Sequence, residues 1–189
     1  MLLMNIAEKL IETHDTIELT APEKSDFLFD ELNFTENNNS PFYYDFQEDD
    51  FVFRAKIRPD FKAFYDAGGL FICDTKTRWI KLEFEKTDLG HPSVVSVVTD
   101  NKTSDCCNGE SFENAKEVHL QIVRKGDHFY LHYSTDGENW KMVRYFKLIM
   151  PRRIKVGFVA QSPIGNGCTV LFSHISLSKN TLLDPRKGV

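Results

Sequence analysis

The sequence predicts an all-β protein built as an antiparallel sandwich. Roughly ten short segments alternate apolar with polar residues, the pattern of strands with one buried face. Gly, Pro, Asn and Asp clusters punctuate them. The 189 residues include 16 Phe, 6 Tyr and 2 Trp, types that favour sheets. No β-α-β alternation is visible, which disfavours a doubly wound nucleotide-binding fold. The length fits one domain, residues 1–189, with its core over about 15–178. A chain of this size buries enough surface to fold without disulfides or metal.

Taken in order, Leu3, Ile6, Ala7, Leu10 and Ile11 recur at helical spacing and predict a short N-terminal helix or arm. Thr16–Thr20 alternates and reads as a strand. Ala21–Asp26 is a polar connection, and the Asn-rich stretch Phe34–Ser40 reads as a loop. Asp50–Arg58 sets Phe51, Phe53, Ala55 and Ile57 against a largely basic face with Arg54, Lys56 and Arg58, as in a sheet with one wet side. Gly69–Cys73 is a short apolar strand. Trp79–Glu85 alternates strictly, with Ile80, Leu82 and Phe84 opposite Trp79, Lys81, Glu83 and Glu85. Ser93–Thr99 is valine-rich and predicted to be covered on both faces. T-S-D-C-C-N-G-E (103–110) reads as a polar loop. Glu117–Arg124 and His128–Ser134 flank a Lys125-Gly126-Asp127 hairpin, and Asp136-Gly137 supplies a second turn, with Trp140 packed inside. Asn139–Phe146, Ile154–Ala160 and Cys168–Ser178 complete the series. The last ten residues read as a tail.

The net charge of −5 argues against nucleic acid as a partner. No apolar run reaches the ~20 residues of a membrane helix, so no membrane partner is expected. The start, M-L-L-M-N, lacks a basic n-region, and the four cysteines show no C-x-x-C spacing. Both point to the cytoplasm and reduced thiols. The six histidines form no H-x-H or H-E-x-x-H motif, and no Gly-rich phosphate loop occurs. No metal or cofactor is expected. A Cys106–Cys107 disulfide would be strained, since neighbouring side chains point apart.

Several stretches together resemble a known family. They are Y-D-A-G-G-L-F-I (65–72), W-I-K-L-E-F-E-K-T-D (79–88), S-V-V-S-V-V-T (93–99) and S-D (104–105). They are similar to domain-of-unknown-function family 1349, over roughly residues 15–178. Ser25-Asp26-Phe27 matches a usual T-D-F-W, with Leu28 in place of Trp. R-K-G-D-H-F-Y-L-H-Y-S-T-D-G-E-N-W (124–140) resembles the hairpin of laminin-G-like and β-xylosidase C-terminal modules. The resemblance implies the concanavalin A-like lectin/glucanase jelly roll. It implies no settled activity, since that fold hosts lectins, glycosidases and interaction modules. Cys106 stands where the family has Trp.

Residues two apart on a strand share a face at about 7 Å, so Trp79, Lys81, Glu83 and Glu85 form one row. On a wet face, the indole can stack on a sugar while the charges bond its hydroxyls. The competing reading is a solvated face ion-paired with Arg54, Lys56 and Arg58. The resemblance places Trp79, Lys81 and Glu85 at matched positions and adds Asp105 as a ligand candidate in its S-D loop. Asp66 is either a turn residue before Gly68-Gly69 or a group at the rim of the groove. The candidate ligand-binding residues are therefore Trp79, Lys81, Glu83, Glu85, Asp66, Arg54 and Asp105, with no catalytic residue assigned.

Three functions follow. The first is a non-catalytic carbohydrate-binding or glycan-sensing sandwich. The second is a cytoplasmic regulator acting through protein contacts, since the family includes a protein described as regulating enolase. The third is a glycoside hydrolase using Glu83 and Glu85, whose same-face spacing suits paired carboxyls. Glu83-x-Glu85-x-x-Asp88 resembles the E-x-D-x-x-E-like motif of jelly-roll glucanases. A lysine beside Glu85 is expected to lower its pKa, which suits binding over acid catalysis.

Overall fold

A computed structural model describes residues 1–179 and 182–189. Among them are strands and turns, with no helix. One sheet contains, in spatial order, β1 (Leu2–Met4), β6 (Phe42–Glu48), β15 (Arg153–Gln161), β8 (Ala67–Thr75), β9 (Arg78–Lys86), β10 (Pro92–Asp100) and β11 (Thr103–Ser111). The other runs β14 (Lys141–Lys147), β13 (His128–Ser134), β12 (Val118–Lys125), β7 (Phe51–Pro59), β16 (Cys168–Ser178), β3 (Thr16–Ala21) and β2 (Lys9–Glu12). A hairpin of β4 (Phe27–Asp30) and β5 (Thr35–Asn38) stands apart from both. All pairings are antiparallel.

The expected alternation builds the core. Leu70 and Ile72 of β8, Ile80, Leu82 and Phe84 of β9, and Phe53, Ala55 and Ile57 of β7 are buried between the sheets. A second apolar cluster lies on the outer face of the first sheet. There Phe71, Trp79, Val95, Val97 and Val159 meet Phe27 and Phe29 of the β4–β5 hairpin. Ser93–Thr99 is thus covered on both faces, as its run of valines predicts. The Phe27 ring stands 4.6 Å from Phe71 and 5.9 Å from Trp79, centroid to centroid.

Four local expectations change. The N-terminal residues form β1 and β2, pairing with β6 and β3, and not a helix. A helix this short is costly to nucleate, whereas both sheets offer a free edge. Residues 35–38 form strand β5 within the stretch expected to be a loop. Residues 103–110 lie in edge strand β11, where Cys106 and Cys107 point to opposite faces and both remain free thiols. Trp140 sits half-buried outside the core, under the Arg54 guanidinium at 5.0 Å.

Gly68 and Gly69 lie in β8, not in a turn. A Cβ on Gly68 would stand 2.3 Å from Val170 Cγ1, and one on Gly69 would stand 2.2 Å from the Leu82 carbonyl and 2.7 Å from Glu83 Cγ. Their role is close approach, and Gly69 in particular vacates the space that the Glu83 side chain occupies. The left-handed residue before them is Tyr65, with φ 65°.

Because Trp79 is fully buried under the hairpin, Trp79→Ala should cost about 3–5 kcal/mol of stability. Phe34→Ser at the exposed hairpin tip (Phe34 is 94% exposed) should change it by less than about 0.5 kcal/mol. Urea unfolding of both variants checks this, and equal losses would contradict the packing.

Candidate functional site

The outward row of β9 is as expected: Trp79, Lys81, Glu83 and Glu85 share a face. The face is covered, not wet. Trp79, Lys81 and Glu83 are 0%, 2% and 0% exposed. Trp79 is a packing residue, and its ring is not available to a ligand.

Lys81 is the centre of the row. Its Nζ donates to Gln161 Oε1 at 2.7 Å and to Asp26 Oδ1 at 3.3 Å. Glu83 Oε2 stands 3.1 Å away at ion-pair distance, without hydrogen-bond geometry. The Trp79 ring lies 5.8 Å from the same nitrogen. Gln161 is the last residue of β15 and donates through Nε2 to the Tyr65 carbonyl at 3.4 Å. Asp26 is brought over the sheet by a two-way backbone bridge between Ser25 and Ser162, with N···O distances of 3.3 and 3.1 Å. Its own N–H donates to Asn39 Oδ1 at 2.9 Å.

Burial alone would drive the Lys81 ammonium down. Glu83, Asp26 and Glu85 outweigh it and hold the pKa above the usual lysine range. Burial pushes Glu83 upward, more than Lys81 holds it down. Glu85 is half-buried, and burial, aided by the charge on Glu83, pushes it up to about 8 against the pull of Lys81. The expected lowering by the lysine is thus reversed: Lys81 is already committed to other partners, and desolvation dominates.

Beyond Lys81 and Glu85 the outer face opens into a cavity of about 420 Å³. Asp26, Lys81, Glu85, Asp88, Asn37, Asn108 and Gln161 supply its polar lining; Leu28, Val95, Val97, Tyr65 and Ile164 supply apolar surface, with Cys106 beside them. Cys106 and Asn108 face the cavity because they pair with Val97 and Val95 and share their side of the sheet. Burial raises the Cys106 thiol, so it is not an activated nucleophile. A larger depression of about 670 Å³ beside Glu12, His14 and His174 lacks such a buried charged floor; His14 and Asp15 there are exposed.

Three predicted ligand contacts lie elsewhere. Arg54 belongs to the second sheet, where its Nε donates to Gln121 Oε1. The predicted ion pairing of β9 with the basic face of β7 therefore cannot occur, and Lys56 pairs instead with Glu117 at 3.1 Å. Asp105 points to the opposite side of β11 from Cys106 and is ion-paired with Arg144. Asp66 is fully buried and structural: Oδ2 accepts from the N–H groups of Lys62 (2.9 Å) and Ala63 (2.8 Å), and Oδ1 from Ser162 Oγ (2.6 Å). Of the seven candidates, Lys81 and Glu85 reach the cavity, and Glu83 lies beneath them. Asp26, Tyr65, Asn108 and Gln161 are additional. Asp26 had a signal in its S-D-F motif, whereas Gln161 had none.

A family model for a protein of unknown function (DUF1349) matches residues 3–180. The chain belongs to the DUF1349 family. No curated protein matches the sequence. The DUF1349 chain is similar to a solved structure described as a functionally unknown protein from Saccharomyces cerevisiae, with TM-score 0.89, 23% identity, and coverage of 96% of this chain and 97% of that one. A glycoside hydrolase family 43 protein, BlXynB from Bacillus licheniformis, matches with TM-score 0.68 and 12% identity over 87% of this chain. The match spans only 33% of that protein. Carbohydrate-binding module CBM66 from Bacillus subtilis matches with TM-score 0.57 and 11% identity, covering 93% and 94% of the two chains. These likenesses bear out the β-sandwich fold that the resemblance implied.

Removing one member of a buried ion cluster strands the others, so Lys81→Met should destabilise the DUF1349 fold by about 3–5 kcal/mol in urea unfolding. A loss below about 1 kcal/mol would show that the carboxylates do not depend on it. Glu85 makes a separate, pH-dependent prediction. Its pKa is raised from 4.5 to about 8 in the folded state. Between those values the folded protein holds a proton that the unfolded chain has released, so stability falls as pH rises. Glu85→Gln removes that fall. Its stability relative to wild type should therefore be higher at pH 8 than at pH 5, read from the difference in urea midpoints. A gap that stays constant would contradict the assignment.

Proposed function

We propose that this protein binds a saccharide, without catalysis, in the cavity over Lys81 and Glu85. The observation that carries the reading is a cavity of about 420 Å³, within the range of small-molecule sites, that combines apolar walls with polar groups left free. Among the described residues, Glu85, Asp88, Asn37 and Asn108 line it with no side-chain hydrogen bond inside the chain. Such groups suit hydroxyls, while Val95, Val97 and Leu28 suit the C–H faces of a ring. Tyr65 takes the stacking role expected of Trp79. It is 37% exposed at the rim in a left-handed conformation, held there by its N–H donating to the Lys86 carbonyl at 2.6 Å and its carbonyl accepting from Gln161. Strain at a rim residue is a common mark of a working site. The name of the neighbouring carbohydrate-binding module supports the same reading at the level of fold.

Absence of catalysis is part of the proposal. Glu83, the natural partner for Glu85 in a hydrolase, sits under Lys81 and does not line the cavity. One observation favours the hydrolase reading: a carboxyl with a pKa near 8 is protonated at neutral pH and fit to act as a general acid. A cytoplasmic location also belongs to the proposal, supported by the free thiols Cys73, Cys106, Cys107 and Cys168.

An array of oligosaccharides followed by calorimetry tests both readings. We expect binding that weakens about tenfold or more in Glu85→Ala and about threefold or more in Tyr65→Ala, with circular dichroism unchanged. Chromogenic glycosides should show no turnover. Turnover lost in Glu85→Ala would replace this reading with the hydrolase, and unaffected binding in both variants would place the ligand elsewhere.

A further inference from the structure

The charges around the cavity are unbalanced in a way that constrains the ligand. Asp26, Glu85 and Asp88 line it together with one base, Lys81. That base is already committed. Its ammonium donates to Gln161 and Asp26 and stands in ion-pair contact with Glu83. Its charge is already matched by these carboxylates, and at 2% exposure it is not presented to an incoming anion. Glu85, by contrast, has no hydrogen-bond or ion-pair partner among the described residues, although it is half-buried. Beneath it, both carboxyl oxygens of the fully buried Glu83 also lack a hydrogen bond. Among the described residues the site therefore offers no unmatched cation, and its carboxylates repel anions. Tyr65 at the rim offers a ring face, which also attracts cations.

From this we propose that the site, resting on the saccharide reading above, selects a saccharide that carries a free amine, with the ammonium seated on Glu85. Neutral sugars offer the Glu85 carboxyl hydroxyls but no ion pair, and acidic sugars bring a like charge to Asp26 and Asp88. Acetylation of the amine removes both its charge and the ion pair.

At neutral pH the free site carries the Glu85 proton, since that group's pKa stands near 8. When the ammonium arrives, the carboxyl gives that proton to solvent and the two ions pair. The groups facing Glu85 are Lys81 and Glu83 on its own strand, Asp88 in the loop that follows, Asp26 ahead of β4, and the Cys106 thiol on β11. Of these, Lys81 opposes the seating of a cation, and it is screened by its own carboxylates.

Calorimetry on the full chain at pH 7, in two buffers of different ionisation enthalpy, reads both affinity and proton release. The probes are a fully deacetylated glucosamine trisaccharide, its N-acetylated counterpart, a glucose trisaccharide and 1,4-diaminobutane. The amine trisaccharide should bind about tenfold or more tighter than the other two sugars. It should release a fraction of a proton per site, because amine that arrives unprotonated takes up the proton Glu85 gives, and Glu85→Gln should abolish both the preference and the release. If the glucose or acetylated trisaccharide binds as tightly, the amine inference is overturned while the saccharide reading stands. If diaminobutane binds with proton release and no trisaccharide does, the saccharide reading falls and the cation preference survives. If none of the four binds, both are overturned.

Discussion

The Lys81 ammonium is buried, and everything around it answers to that constraint. A lone ammonium in an apolar interior is far too costly to keep its charge. Here it is matched by Asp26, Glu83 and Gln161, each from a different part of the chain. Their convergence requires further features. Glu83 can lie flat on the sheet only because Gly69 opposite it has no side chain. Asp26 can reach over the sheet because Ser25 bridges to Ser162. Gln161 is in range because β15 pairs with β8 at Ala67, beside β9. The ion cluster therefore ties the β4–β5 hairpin to the first sheet by a polar contact, next to the apolar one made by Phe27, Phe29 and Trp79.

The sandwich and the face assignment of β9 were legible because both rest on period-two alternation, which is a local property. Ile80, Leu82 and Phe84 point inward, and Trp79, Lys81, Glu83 and Glu85 point outward, as the spacing alone requires. What lies above that outer face is not local. Alternation separates two faces but does not say whether water or a third layer meets the second one. The F-x-F pattern at Phe27 and Phe29 is the trace of that layer, and it is too short to outweigh the Asn-rich stretch behind it. For the same reason alternation alone does not separate Arg54 from the site. Its strand has a wet basic face, but membership of the other sheet is a matter of topology. Asp105 was displaced by a different cause. Read as a loop, residues 103–110 have no parity; as strand β11 they do, and Cys106 takes the cavity side while Asp105 takes the other.

The charge state of Glu85 is likewise set from outside its own strand. A lysine four residues from Glu85 on the same strand face lowers its pKa only if the lysine's field is free to act there. Once Lys81 is neutralised by nearer carboxylates, Glu85 experiences mainly its own desolvation and the repulsion of Glu83. Pairwise reasoning along one strand misses this, because Asp26 arrives from a segment 55 residues away.

A structural role alone does not account for the cluster. Replacing a buried ion network with apolar side chains of similar volume is often neutral or stabilising, and the neighbouring cells of this same face are already filled that way by Trp79, Val95 and Val97. A face built only for packing would continue the valine and phenylalanine pattern through positions 81, 83 and 85. It changes instead to charge at the point where the hairpin cover ends and the cavity begins. There the outermost member, Glu85, is half-buried and has no side-chain partner among the described residues. Lys81 meets Asp26 and Gln161 by hydrogen bonds and Glu83 by an ion pair, so their presence can be explained internally. Glu85 cannot be explained in that way, and its missing partner is the most direct physical argument that the cavity is made to be occupied.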